Sequence, residues 1–349
     1  MATAAHPLLD RARRLAQDLL VPNAERVDQE GVPMSHVEAV KRSGLLGMSA
    51  PVEYGGSGAP AAVVRRTAEI LAGACCSTWF VQTQHHTPVL TLTKSELPVR
   101  ERLLGPLARG ELLSGVAYAH IRRYPRTPVR VTRERGGLRF DGTVPWYTGW
   151  GLNDVMLLAG VTDTGEALFA FAEAREQPGL RASGPLRLAA LTAARTVSLE
   201  LDGLRLPEEA VALCSPYEQW AAGDRSKTVS TSPAVFGITE AALGLLDEKD
   251  AAPLRARLEE VRGGAYALAD RAAPHEHLEE RLALRIEAYD LMRTATTAAV
   301  VTGGGRALLL SARAQRLARE ALFLLVQGQT AESRRAHLDA LTGRRPAVA

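Results

Sequence analysis

The stretch FDGTVPWYTGWGLND, residues 140–154, concentrates side chains that could contact a flat molecule. It holds two of the chain's four tryptophans, Trp146 and Trp150, together with Thr148 and Gly149. Glycine lets a backbone approach a neighbouring group closely, and an indole presents a broad flat face. Two interpretations follow. Either these residues bind a planar cofactor, or the tryptophans fill the protein's own core.

A group of cationic and aromatic side chains precedes this stretch, in SGVAYAHIRRYPRTP. Tyr118, His120, Arg122 and Arg123 follow an apolar run there, and seven arginines fall between Arg122 and Arg139. A guanidinium group matches diphosphate oxygens with two parallel hydrogen bonds, so Arg122 and Arg123 are candidates for binding phosphates. A solvated strand face explains this pair equally well, and it is the better explanation for the arginines that alternate with apolar residues.

Other polar residues have simpler explanations than catalysis. Glu240, in the apolar segment SPAVFGITEAALGLL, is a candidate base, although a carboxylate near a helix N-terminus accounts for it more simply. His85 and His86 follow the uncharged segment STWFVQTQ, which favours a hydrogen-bonded core or interface position over proton transfer. The adjacent Cys75 and Cys76 are also predicted to lie in the core.

Composition excludes several classes of protein. The chain has 349 residues, 46% of them hydrophobic, and a net charge of +3, which indicates a globular protein with two or three structural units and no requirement for nucleic acid. No apolar run approaches the ~18–20 residues that span a bilayer, so membrane insertion is not expected. Three cysteines and no zinc-type spacing favour reduced thiols in the cytoplasm and no metal ion.

Hydrophobic periodicity divides the chain into three zones. Residues 1–111 carry apolar side chains at helical spacing and predict an N-terminal helical domain. Residues 112–213 change to a period of two, with tight turns at 135–137 and 163–165, and predict a central antiparallel β-barrel or sandwich. Residues 214–349 return to amphipathic helices and predict a C-terminal helical bundle. The predicted fold class is therefore α+β.

Three motifs in this order resemble the acyl-CoA dehydrogenase family of flavoproteins over essentially the full length of the chain. APVEYGGSGAP, residues 50–60, resembles the family's turn between N-terminal helices. GTVPWYTGWGLND resembles the stretch that contacts the flavin, and LDGLRLPEEAVA, residues 201–212, resembles the exit from the β domain. The chain is identified as a short, atypical member with an acyl-CoA dehydrogenase-like fold.

The resemblance implies FAD as the cofactor, held between the β domain and the C-terminal bundle. Trp146 would cover one side of the isoalloxazine ring, and the hydroxyl or backbone of Thr148 would hydrogen-bond its N5 or O4 edge. Gly149 would permit the close backbone approach. Near the C-terminus, LVQGQT resembles the family's glycine-containing segment, which implies cofactor contacts for Gln327 and Gly328.

The chain departs from the family where most members carry Thr-Glu-Pro and then Gly-Ser-Asp. Tyr118, Arg122 and Arg123 stand there instead, and the resemblance implies that they contact the cofactor or the phosphates of coenzyme A. His120 falls beside the flavin edge and is assigned a catalytic or flavin-contact role.

The family's catalytic glutamate has no counterpart at either usual position. Counting forward from LVQGQT overruns Ala349, and the alternative position falls on Lys227. Removal of the proton α to a thioester needs a base, so we expect an atypical one, with His120 and Glu240 as candidates, or one from a partner subunit.

Three functions remain open. The first is an FAD-dependent oxidoreductase that oxidises an acyl thioester at its α and β carbons. The second is a flavin-dependent monooxygenase on the same scaffold, which needs no α-proton base. The third is a degenerate, cofactor-free homologue with a structural or regulatory role. The expected partners are a small-molecule substrate and further copies of the chain, in a homodimer or homotetramer, or a complete homologue in a heteromer.

Overall fold

Seven α-helices precede the sheet in the computed structural model, which describes residues 6–126 and 129–344. They are α1 (Pro7–Leu15), α2 (Val21–Glu30), α3 (Met34–Arg42), α4 (Ala61–Ala74), α5 (Cys76–Thr83), α6 (His86–Lys94) and α7 (Val99–Ala108). α1 has a proline in its first turn, buries Leu8, Leu9 and Ala12, and continues through a π-helical segment into α2. The predicted N-terminal helical zone is confirmed.

The middle of the chain forms one eight-stranded sheet. Its strands are β1 (Ser114–Ala117), β2 (Val129–Glu134), β3 (Gly137–Tyr147), β4 (Val155–Thr162), β5 (Glu166–Glu173), β6 (Leu180–Ala182), β7 (Val197–Leu206) and β8 (Val211–Pro216). The spatial order is β6-β7-β3-β2-β4-β5-β8, and β1 pairs with β4. The predicted tight turns connect β2 to β3 and β4 to β5, and both pairs are antiparallel.

The sheet is mixed, whereas the sequence predicted an antiparallel one. β4 pairs in parallel with β1 and with β2. β4 also buries both of its faces: Met156 and Leu158 lie in a core formed mainly by other strands, and Leu157 and Ala159 lie in the core that includes α6 and α7. Parallel neighbours require long crossover connections, which a local period of two does not reveal.

The apolar segment LLSGVAYAH, residues 112–120, predicts a strand, and β1 is shorter than this segment. Its pairing with β4 ends at Ala117, and a 3-10 helix follows over Ala119–Arg123. Tyr118 has φ −139° and ψ −12°, so the backbone leaves the extended conformation at this residue. The polar residues from His120 onward therefore lie on a helical turn and not at the end of a strand.

Six α-helices follow the sheet and confirm the predicted C-terminal helical zone. They are α8 (Tyr217–Thr228), α9 (Pro233–Leu243), α10 (Glu248–Arg271), α11 (Leu278–Gly303), α12 (Arg313–Val326) and α13 (Ala331–Thr342). Glu240 lies in the last turn of α9, so the explanation of this carboxylate by a helix N-terminus is wrong.

Two compact units contain these elements. One holds the residues up to Thr67 together with Ser77–Trp220, and the other holds Ala68–Cys76 together with the residues from Ala221 onward. The N-terminal helices and the sheet thus share a unit, and the predicted boundaries at 111 and 213 stay a prediction. Among the described residues, no helix combines the length and the apolarity that crossing a bilayer demands.

A buried arginine closes the end of α10 in the second unit. Arg281 is 4% exposed, and its Nη2 donates to the carbonyls of Ala272 and Ala273 at 3.0 Å each. Its Nε donates to the Glu276 carbonyl at 2.8 Å. These carbonyls follow the last residue of α10 and have no partner in a helix, so the guanidinium supplies their hydrogen bonds at the end where the helix carries partial negative charge.

We expect Arg281→Met to lower the free energy of unfolding by about 3 kcal/mol, because the buried guanidinium makes several charge-assisted hydrogen bonds to backbone carbonyls that methionine cannot replace. Chemical denaturation followed by circular dichroism measures this. Arg293→Met is the matched control, since Arg293 lies on the same helix, is exposed and pairs only with Asp290 at 2.6 Å among the described contacts. Equal stability of the two variants would contradict the capping role.

Candidate functional site

A β-bulge near the end of β3 determines the direction of Trp146. Val144 is opposite Leu199 on β7, and Tyr147 is opposite Val197, so three steps along β3 match two along β7. The extra residue reverses the alternation of side chains between the two faces. Tyr147 is fully buried as a result, while Trp146 is 55% exposed.

The two tryptophans of this stretch have opposite environments. Trp150 is partly buried, packs against the strand core, and meets the Tyr147 ring edge to face at a centroid distance of 5.9 Å. The interpretation of these residues as core aromatics therefore describes Trp150. It does not describe Trp146, whose indole is open to a flat partner.

Thr148 is held by two buried hydrogen bonds. Its Oγ1 lies 3.1 Å from Oγ1 of Thr196, and either hydroxyl can donate. Its carbonyl accepts from Nδ2 of Asn153 at 2.9 Å. If Thr196 donates, the Thr148 hydroxyl keeps its own proton for a bond to another acceptor.

Gly149 is required by its immediate surroundings. Its φ is +85°, a conformation that favours glycine, and its N–H donates to the Ala194 carbonyl at 2.9 Å. A Cβ at this position would lie 2.5 Å from Nδ2 of Asn153. The turn thus has a need for glycine that does not depend on a cofactor, and the cofactor contact of Gly149 stays a prediction.

Asn153 and Thr196 are site residues that the sequence analysis missed. Asn153 lies inside the quoted stretch, and it is one of only two asparagines in the chain, which is a signal that could have been used. Thr196 carries no comparable signal, because it meets Thr148 only through the pairing of β3 with β7.

Tyr118 belongs to an aromatic cluster in the same unit. Its ring lies 5.8 Å from Phe169 and 6.4 Å from Trp220, measured between centroids. The Arg122 guanidinium lies 5.9 Å from the Tyr118 ring centroid, a cation–π arrangement, whereas Arg123 is exposed. The two arginines of the predicted phosphate-binding pair therefore have different environments.

His120 is buried on the 3-10 helix that follows β1. Its Nε2 lies 2.9 Å from the Ala159 carbonyl, which can only accept, so Nε2 carries the proton. Burial lowers the pKa of His120 to about 4, which leaves the ring neutral at pH 7. Nδ1 is buried and has no hydrogen-bond partner among the described residues. The imidazole can therefore accept a hydrogen bond through Nδ1.

The remaining predicted residues lie in the second unit. The Glu240 side chain is 43% exposed and accepts a hydrogen bond from Arg262 at 3.3 Å. Arg262 also pairs with the buried Glu69 at 3.1 Å. Gln327 follows the last residue of α12, and Gly328 has φ +65° with nothing near its missing Cβ, so glycine serves the backbone turn there and not a close approach.

The structure thus brings together only part of the predicted site. Trp146, Thr148 and Gly149 form one turn. The residues from Tyr118 to Arg123 form a second group in the same unit. They follow β1, whose Gly115 lies against the side chains of Tyr147 and Asn153. Glu240, Gln327 and Gly328 belong to the other unit.

Comparisons with known proteins agree with this architecture. Residues 4–111 match the family model of the acyl-CoA dehydrogenase N-terminal domain. A 3-sulfinopropanoyl-CoA desulfinase from Paraburkholderia xenovorans (strain LB400) is 42% identical over 60 residues, a match that spans 17% of this chain and 16% of the relative's length.

Two solved structures share the whole fold. A glutaryl-CoA dehydrogenase from Mycobacterium smegmatis, in complex with FADH2, superimposes with a TM-score of 0.81 at 18% identity, covering 97% of this chain and 95% of the other. A dibenzothiophene monooxygenase from Paenibacillus sp. A11-2 gives 0.79 at 19% identity and covers 99% of both chains. The N-terminal family match and the shared fold confirm the resemblance noted in the sequence: residues 4–111 match the acyl-CoA dehydrogenase N-terminal domain, and the chain has the acyl-CoA dehydrogenase fold.

Proposed function

We propose that this chain is an FAD-dependent oxidoreductase that oxidises an acyl thioester at its α and β carbons. The observation that carries the proposal is the exposed indole of Trp146 beside the glycine turn of Thr148 and Gly149. An open aromatic face and a positioned hydroxyl are groups that suit a planar ring with polar edges. The residues present therefore fit a flavin.

Trp146, Thr148 and Gly149 would hold the flavin ring, and the cofactor contacts of Gln327 and Gly328 stay a prediction. A bound flavin supplies a hydride acceptor. Arg122 and Arg123 would bind phosphates of the cofactor or of coenzyme A, and Tyr118 supports Arg122 through its ring. The name of the matched relative, a CoA-thioester enzyme, and the glutaryl-CoA dehydrogenase fold support an acyl-CoA substrate.

The proton α to the thioester needs an acceptor, and the two candidates differ in chemistry. Glu240 is a half-exposed carboxylate that accepts a hydrogen bond from Arg262. His120 is neutral and offers only Nδ1, because Nε2 is bound to Ala159. We propose that the base is atypical, with His120 and Glu240 as the candidates within the chain and a partner subunit as the other source.

A flavin-dependent monooxygenase is the second candidate function. The fold shared with a dibenzothiophene monooxygenase supports it, since that chemistry needs no α-proton base. The buried, neutral state of His120 is also compatible with it. The third candidate, a cofactor-free structural or regulatory homologue, would not explain the exposure of Trp146.

A leucine-rich surface of the second unit supports self-association. Six apolar residues between the end of α11 and the end of α12 are each 59–74% exposed: Val301, Leu308, Leu309, Leu310, Leu322 and Val326. Exposed apolar clusters of this kind mark interaction sites, and a single apolar patch can pair with its own copy about a two-fold axis. We propose that a second copy of this chain covers this leucine patch, in a homodimer or homotetramer, in the cytoplasm.

We expect the purified protein to be yellow and to bind FAD, and Trp146→Ala to raise the dissociation constant for FAD about tenfold, because an aromatic contact is worth ~1 kcal/mol or more. Titration followed by flavin fluorescence measures this. Val52→Ala is the control, because it removes another exposed apolar side chain from the same unit. A wild-type protein that binds no FAD would favour the cofactor-free alternative.

We expect an acyl-CoA to bleach the flavin absorbance under anaerobic conditions. Acyl-CoAs of different chain length, added one at a time, identify the substrate. If none bleaches it, while chemically reduced protein consumes oxygen and hydroxylates a small substrate, the monooxygenase is the correct function.

We expect the double substitution Leu309→Glu and Leu310→Glu to convert the oligomer into monomers, because charged side chains cannot be buried in an apolar contact without a large desolvation cost. Analytical ultracentrifugation measures the change. Val52→Glu, at an exposed apolar position of the other unit, should leave the assembly intact. An unchanged mass for the double variant would place the contact elsewhere.

A further inference from the structure

The amide of Asn153 occupies a space between two glycines. A Cβ at Gly115 on β1 would lie 2.4 Å from Nδ2 of Asn153, and a Cβ at Gly149 would lie 2.5 Å from the same atom. Neither distance is tolerable for a real side chain. Gly115 has no need of glycine from its backbone, since it lies in a regular strand paired with Met156. The missing Cβ at Gly115 therefore makes room for Asn153 and for Tyr147.

Asn153 uses this space to hold two neighbours. Nδ2 donates to the Thr148 carbonyl and to the Tyr147 hydroxyl, both at 2.9 Å. Its own backbone N–H donates to the Gly149 carbonyl at 3.0 Å. One residue thus contacts all three consecutive residues of the Tyr147–Gly149 turn.

The buried amide is not explained by packing alone. Asn153 is 7% exposed, and its Oδ1 has no hydrogen-bond partner among the described residues. A buried amide with an unsatisfied oxygen costs free energy, and an apolar residue of similar size would avoid that cost. The Asn153 amide therefore fixes one geometry of the turn, and this lowers the free energy of unfolding of the protein.

We propose that Asn153 is a positioning residue for the flavin site, acting through Thr148; this inference rests on the proposed function. The Thr148 carbonyl accepts a hydrogen bond from Nδ2 of Asn153 and therefore points into the protein interior. Thr196 holds the Thr148 hydroxyl at 3.1 Å, so both polar groups of Thr148 are fixed from inside. The Thr148 hydroxyl then meets the flavin edge in one orientation, and the contacts with Asn153 and Thr196 determine that orientation.

Three purified variants test the proposal: Asn153→Asp, Asn153→Leu and Tyr147→Phe. Aspartate keeps the shape but cannot donate to the Thr148 carbonyl, and leucine keeps the volume. Tyr147→Phe removes only the hydroxyl that accepts from Asn153. Asn23→Asp is the control, because Asn23 is the chain's other asparagine and its Nδ2 donates to the Leu19 carbonyl at 2.8 Å in the helical region.

We expect the two Asn153 variants to raise the dissociation constant for FAD about tenfold, as loss of a buried hydrogen bond predicts. They should also change the shape of the visible flavin absorption bands and shift the flavin's reduction potential, because the Thr148 hydroxyl no longer meets the flavin edge in one fixed orientation. Tyr147→Phe should give a smaller change in the same direction, and Asn23→Asp none.

The outcomes separate this inference from the proposed function. If wild-type protein binds FAD and folded Asn153 variants match its affinity, band shape and potential, the positioning role is wrong and the flavin function stands. If the wild type binds no FAD, the proposed function itself fails. If the Asn153 variants do not fold, Tyr147→Phe decides: wild-type values for it overturn the proposal.

Discussion

The β-bulge between Val144 and Tyr147 is the constraint on which the candidate site depends. One additional residue in β3 sends Tyr147 into the core and Trp146 outward, because side chains of a strand alternate strictly between its faces. Without it the indole would be buried and the phenol exposed. The buried phenol then supplies the hydroxyl that Asn153 binds, so the direction of Trp146 and the support of Thr148 have a common origin.

The turn that follows β3 is supported from three separate segments of the chain. β1 leaves space at Gly115, the segment before β7 binds the N–H of Gly149 and the hydroxyl of Thr148, and Asn153 binds the Thr148 carbonyl. A turn held in this way has few alternative conformations. That rigidity suits a site in which a planar ligand must meet one hydroxyl and one aromatic face at a fixed separation.

Much of the fold could be predicted because its signals are local. The helical zones follow from apolar residues at helical spacing, and the hairpin turns follow from glycine next to polar residues. The parallel pairs of β4 and the early end of β1 at Ala117 could not be predicted in this way. Each depends on pairing or packing with residues far away in the sequence, and propensity carries no information on such partners.

The sequence by itself determined the order of helices, strands and helices and the family resemblance. Only the tertiary structure decided that Trp146 is open while Trp150 is packed, that His120 is buried and neutral, and that Asn153 and Thr196 support Thr148. The physical reason is that residue type states which interactions a side chain can make. The register of β3 against β7 and the burial of the ring decide which of those interactions it does make.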